Sequence, residues 1–217
     1  VRHPNILPCI GASCNGNSYF YLSPFQSRGS LRMILDEEDN ELNSFRRGFI
    51  AEQTARGLAH IHELGIMHRD IKAENIMINN NWSTVVGDFG TACSVSDSNL
   101  ESMIGTLQWM APEMLEDKSN YTEKVDVYSY GILLFELFTG KQPYSDMKNW
   151  DMVDYVLAGG RPKYSAEQIP SEIIELMESC WHSNPKKRPS FSSIVNILNN
   201  WLEPANKKEV NIPQEIV

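Results

Sequence analysis

Apolar residues follow two kinds of spacing along the 217-residue chain. Over residues 43–64, Phe45, Phe49, Ile50, Leu58 and Ile61 recur at intervals near three and four, which predicts a long amphipathic helix with these side chains on its buried face. Gly65 follows as its C-terminal cap. Residues 132–138 are apolar nearly all round, as in a helix surrounded by protein, and Gly140 and Pro143 stop it. Three further helices are predicted over residues 150–158, 171–181 and 190–201. Ser171 and Ser190, each after a proline, are placed to cap them, as Ser30 is for a short earlier helix. Trp181, Ile194, Leu198 and Trp201 belong to the core by their helical spacing. Residues 18–23 are aromatic and β-favouring and predict a strand. Two short apolar runs, Ile76-Met77-Ile78 and Val85-Val86-Gly87, predict a hairpin. The acidic run at 36–41 reads as a solvated linker, and the polar stretch from residue 204 as a short tail.

Composition narrows the class. With 41% hydrophobic and 22% charged residues the chain is an ordinary globular one. A net charge of −9 and an isoelectric point near 5.1 argue against a nucleic-acid surface, which would cluster Lys and Arg. Cys9, Cys14, Cys93 and Cys180 show no C-x-x-C spacing and predict reduced thiols in an intracellular, cytoplasmic protein. No apolar run approaches the roughly 18 residues that span a bilayer, and no secretory signal is present.

The chemistry concentrates in His68-Arg69-Asp70-Ile71-Lys72-Ala73-Glu74-Asn75 and in Asp88-Phe89-Gly90. A loop, the hairpin, then the second acidic turn would bring both stretches to one acidic site holding one cation. Phosphoryl transfer needs that mixture, because the protein chiefly positions reactants and holds metal ions against phosphate oxygens. Asn75 and Asp88 offer the oxygen ligands magnesium prefers. Asp70 could take a proton from an incoming hydroxyl. Lys72 could neutralise charge on the same phosphate.

These two motifs resemble the H-R-D-x-x-x-x-N catalytic loop and the D-F-G of eukaryotic protein kinases. Three more follow in order: Gly105 to Glu113, ending in Ala111-Pro112-Glu113; Asp126-Val127-Tyr128-Ser129; and the segment ending at Arg188. The resemblance covers about residues 1–203 and implies an α+β, protein-kinase-like fold. Residues 1–22 would be a remnant of the small lobe, 23–29 the hinge, 30–203 a mostly helical large lobe, and 204–217 a tail. Val1 to Leu7 is similar to a turn inside the small lobe, so the glycine-rich loop and the nucleotide-binding lysine are expected upstream of residue 1. Neither G-x-G-x-x-G nor a V-A-I-K equivalent occurs in the chain.

The resemblance implies a Mg-dependent protein serine/threonine kinase, probing ATP and protein substrates, with no nucleic-acid partner. Lys72 and Thr106 are similar to the serine/threonine type, and Trp109 to Glu113 to its tyrosine-kinase-like branch. Asp70 would be the base and Lys72 the phosphate neutraliser. Asn75 and Asp88 would hold Mg²⁺, and Met77 would pack beneath the adenine. Thr106 would bridge Asp70 and Lys72, Glu113 would pair with Arg188, and Asp126 would hold the catalytic loop. Ser23 would lie at or near the gatekeeper, and Arg69 would meet a phosphate on Ser96, Ser98 or Ser102. The chain alone is expected to transfer little phosphate. The competing expectation is a pseudokinase or scaffold that binds partners, which intact Asp70, Asn75 and Asp88 oppose.

Overall fold

The computed structural model describes residues 1–16, 18–95, 105–116 and 121–209, the side chains of Ser18, Tyr19 and 204–209 excepted. Three two-stranded antiparallel sheets accompany seven helices among these residues. Strands β1 (Gly11–Asn15) and β2 (Ser18–Leu22) form the first hairpin. Helix α1 (Leu31–Leu35) starts at Ser30, whose side chain accepts from Met33 N, as its sequence position predicts. Helix α2 (Ser44–Glu63) starts at Asn43, which accepts from Arg46 N, and ends before Gly65 at φ 69°. Strand β3 (Ile66–Met67) pairs with β6 (Cys93–Ser94), and β4 (Ile76–Ile78) with β5 (Thr84–Val86).

The β4–β5 hairpin is held on both edges. Leu7 N donates to Val86 O and Val86 N to Asn5 O, while Arg28 N donates to Ile78 O and Ile78 N to Gly29 O. Asn5 is buried and its side-chain amide donates to Gln53 Oε1 of α2 and Thr84 O of β5. The hairpin ends are therefore fixed against the helical body rather than left to local turn chemistry.

Helix α3 (Pro112–Leu115) precedes α4 (Lys124–Thr139), whose residues from Val125 to Phe138 are all buried. Gly140 closes α4 in the left-handed region at φ 74°. Around it lie α5 (Asn149–Leu157), α6 (Ser171–Cys180) and α7 (Phe191–Glu209). At Gly48 an added Cβ would come within 2.2 Å of the Trp201 ring, so glycine is what lets α2 approach α7.

Three expectations are corrected. Phe49 lies outside the buried face of α2 and stacks on Phe45 at 6.2 Å. The buried face takes Gln53 and Thr54 instead, because both find hydrogen-bond partners there. Ser171 is the first helical residue of α6 rather than its cap; Pro170 holds the cap position and the serine hydroxyl donates to Glu172. Helix α7 continues to Glu209, where a tail was expected from residue 204. Among the described residues no helix is long and apolar enough to cross a membrane. Ile10, Phe20, Tyr21, Leu22 and Phe25 are exposed on and beside the first hairpin.

Candidate active site

The site is built on Asp126, near the start of α4. Its buried carboxylate accepts the backbone N–H groups of His68 and Arg69, each at 2.8 Å, and faces His62 Nε2 at 2.8 Å. Burial alone would raise this carboxyl; hydrogen bonding and charge from His62 and His68 hold it below the ordinary carboxylate value. Arg69 is thereby kept at φ 67°, a left-handed conformation that costs free energy for a non-glycine residue. The loop is stitched again from the far side: Thr91 Oγ1 donates to His68 O at 2.9 Å and Arg69 Nε to Thr91 O at 2.7 Å. His68 is fully buried, its Nε2 lying 2.8 Å from Gly87 O and its ring edge-on to Phe89.

Held this way, the loop presents Asp70 to three side chains. Thr106 Oγ1 donates to Asp70 Oδ1 at 2.7 Å; Lys72 Nζ lies 2.8 Å from Asp70 Oδ2 and 2.6 Å from Thr106 Oγ1. Asn75 Nδ2 donates to both Asp70 Oδ2 and Asp70 O, at 2.9 and 2.7 Å. Gly105 makes this possible, since it sits at φ 114° and a Cβ there would come within 2.4 Å of Arg69 O. Asp70 is 8% exposed. Burial pushes its carboxyl up, but the bonds from Lys72 and Thr106 and the lysine charge bring it below the usual carboxylate range. At neutral pH it is an ionised acceptor.

Asp88 leaves the other end of the hairpin. Gly87 N donates to Asn75 O at 2.8 Å, so Asn75 and Asp88 emerge from the same hairpin edge. Asp88 is exposed, adopts φ 55°, and its Oδ1 accepts from Gly90 N at 3.3 Å. It borders an apolar pocket of about 270 Å³ between Leu7, Tyr21 and Ser23 on one side and Phe89 on the other. Met77 does not line that pocket; it is half-buried, and its backbone bridges Ser30.

Farther out, Arg188 grips Glu113 with both ends of its guanidinium, Nη1 to Oε1 at 2.6 Å and Nη2 to Oε2 at 2.9 Å. It also donates to His182 O and Lys124 O, which ties α3 to α4 and to the segment before α7. A sequence model described as protein tyrosine and serine/threonine kinase matches residues 1–198. The chain belongs to that kinase family. It is 35% identical over 204 residues to the RGS domain-containing serine/threonine-protein kinase A of Dictyostelium discoideum, covering 94% of this chain and 18% of that protein. Identity to the probable serine/threonine-protein kinase drkD of the same organism is 36% over 211 residues, 96% of this chain and 16% of the relative. For the serine/threonine/tyrosine-protein kinase HT1 of Arabidopsis thaliana it is 37% over 204 residues, 93% and 52%. The chain thus spans a minor part of the first two and about half of the third.

Two residues of the kinase site escaped the sequence reading. Glu136, fully buried in α4, accepts from Trp109 Nε1 at 2.7 Å and Ala73 N at 3.1 Å, with Arg32 Nη1 at 3.4 Å. Burial pushes its carboxyl up to about 7 against those bonds. It links the catalytic loop to the segment after Thr106. Its one sequence signal was an acidic residue inside the apolar run 132–138. Arg32, in α1, also donates to Gly140 O at 2.9 Å and meets Asp36. Arg69, expected to meet a phosphate, donates to Thr91 O and, at 3.1 Å, Tyr121 Oη. Ser96, Ser98 and Ser102 lie outside the described residues.

Proposed function

We propose that this chain carries the acceptor side of a protein serine/threonine kinase, moving the γ-phosphate of ATP to a seryl or threonyl hydroxyl. The observation that carries the reading is the closed contact of Asp70, Lys72 and Thr106 at 2.6 to 2.8 Å. An ionised carboxylate fixed by three neighbours is suited to accept the hydroxyl proton and aim its oxygen, a role worth about 10²–10⁴-fold. Lys72, bonded to that carboxylate, is placed to neutralise charge on the transferred group.

Magnesium fits the donors present. Asn75 directs its Nδ2 to Asp70, which leaves the amide oxygen as acceptor, and Asp88 offers a solvent-facing carboxylate. When bound there, the metal would offset negative charge on the phosphates. Names of the relatives support the serine/threonine type, each including serine/threonine kinase activity in its description. Arg69 is the residue we assign to a phosphate on the segment that includes Ser96, Ser98 and Ser102, in exchange for its present neutral partners.

The decisive assay is transfer of radiolabelled γ-phosphate to a protein substrate by the full-length protein. Asp70→Asn should lower the rate by about 10²–10⁴-fold, with near-native circular dichroism at the assay temperature showing that the variant is folded. A variant that keeps its rate would remove Asp70 from the chemistry. The 217 residues contain no G-x-G-x-x-G, so by themselves they are expected to transfer little phosphate.

A further inference from the structure

The turn at residues 3–6 is clasped to α2 by two histidines. The His3 ring stacks on His60 of α2, with centroids 4.8 Å apart and planes 20° from parallel. From this turn, backbone pairing runs straight into the hairpin beside the phosphoryl-transfer residues. Ile6 N donates to His3 O, Leu7 N to Val86 O and Val86 N to Asn5 O; Gly87 N, next in the chain, donates to Asn75 O. The fit against α2 is close, since an added Cβ at Gly57 would come within 2.5 Å of Asn5 O. Displacing His3 from α2 therefore disturbs the hairpin edge from which Asn75 and Asp88 emerge.

His3 fits this place only as a neutral ring. Its Nδ1 accepts the backbone N–H of Asn5 at 3.1 Å, so that nitrogen is unprotonated and the proton of the neutral imidazole sits on Nε2. A second proton can go only to Nδ1, where it turns the acceptor into a donor facing a donor. The titratable and charged groups around the ring come from α2, namely His60, Arg56 and Glu63, while Arg2 flanks it in the chain. A stacked imidazole pair resists carrying two charges, and Arg56, though paired with Glu52, adds positive charge nearby. Burial first, then charge from His60 and Arg56, lower the His3 imidazole below its ordinary value against the opposing pull of Glu63. A ring released into water keeps the ordinary value. The clasped turn is therefore fully favoured above 6.5 and loses that contribution as pH falls through 6.5 toward the lowered value.

We propose that the His3–His60 stack is a proton-operated latch: proton uptake by His3 frees the turn at residues 3–6 from α2 and loosens the edge of the β4–β5 hairpin. The latch shares no residue with the contact of Asp70, Lys72 and Thr106, so it stands apart from the phosphoryl-transfer reading.

The test is hydrogen–deuterium exchange of the full-length protein at about pH 7.5 and about pH 5.5, corrected for the intrinsic pH dependence of exchange and read on segments 3–8 and 84–87. Protection of these segments should fall at least about fivefold at the lower pH, while the core of α4 keeps its own. In His3→Asn, whose side-chain oxygen can accept from Asn5 N and takes up no proton in this range, protection should be equal at both values. His3→Gln, also neutral, takes its place if circular dichroism at the higher pH shows His3→Asn unfolded. The control is His182→Asn: the His182 Nδ1 accepts from Asn184 N at 2.9 Å in the same local pattern, yet among the described residues its ring stacks on no second histidine. There the wild-type response should persist. Equal protection of the wild type at both pH values overturns the proposal. So does a loss that survives replacement of His3, which would assign the response to another group, or one that His182→Asn also abolishes.

Discussion

The loop carrying Asp70 and the turn carrying Asp88 lie at two ends of one short hairpin, yet they are held by opposite means. Asp70 sits almost out of solvent, with Thr106, Lys72 and Asn75 on its carboxylate and Asp126 behind its backbone. Asp88 stands in solvent, and among the described residues its carboxylate accepts a hydrogen bond from Gly90 N alone, two residues on in its own turn. A carboxylate drawn out of water stays ionised only where donors and a cation replace its hydration, and the helical body supplies them at Asp70. At Asp88 water still does that work. One end of the site is thus fixed by the fold, and the other is left open to be completed by what binds.

The largest expected stability losses test the fixed end. Asp126→Ala leaves the His68 and Arg69 N–H groups buried and unpaired, at about 1–3 kcal/mol each. Chemical denaturation should show a loss of about 2–6 kcal/mol, and a smaller one would mean that water replaces the carboxylate. Arg188→Ala strands Glu113 and should cost about 3–5 kcal/mol; an unshifted denaturation midpoint would show that this pair does not brace the site. Next comes pH. The Glu136 carboxyl rises from 4.5 to about 7 on folding, so the native state holds its proton longer than the unfolded chain. Its contribution is therefore most favourable below pH 4.5 and declines as pH rises toward 7, by about 1.4 kcal/mol for each pH unit within that window. Glu136→Gln should flatten that slope when melting is followed from pH 5 to 7.5, and parallel curves would contradict the assignment. The smallest effect sharpens the contrast from the open end. Asp88→Asn should change stability by no more than about 0.5 kcal/mol, even as phosphoryl transfer by the full-length protein collapses. A large loss of stability there would erase the distinction.

Much of this was legible before any coordinates. The ordered motifs from His68 to Arg188 identified the family, and the residues they named are brought together: Thr106 with Asp70 and Lys72, Glu113 with Arg188, Asp126 with the loop backbone. Periodicity placed α2, α5 and α6 within a residue or two and marked the second half of α4, because apolar spacing is a local property of a helix face. It failed at Phe49, where the two ends of an apolar stripe face different surroundings, and at Ser171, where a preceding proline took the cap.

What the sequence by itself determined is which groups are available and in what local order: helices, hairpin, and a loop with the residue types phosphoryl transfer needs. What only the tertiary structure decided is how each group is solvated and by whom it is met. Glu136 finds Ala73 and Arg32 across 63 and 104 residues of chain. Local spacing cannot report such meetings, because burial and charge compensation arise only when distant elements pack together.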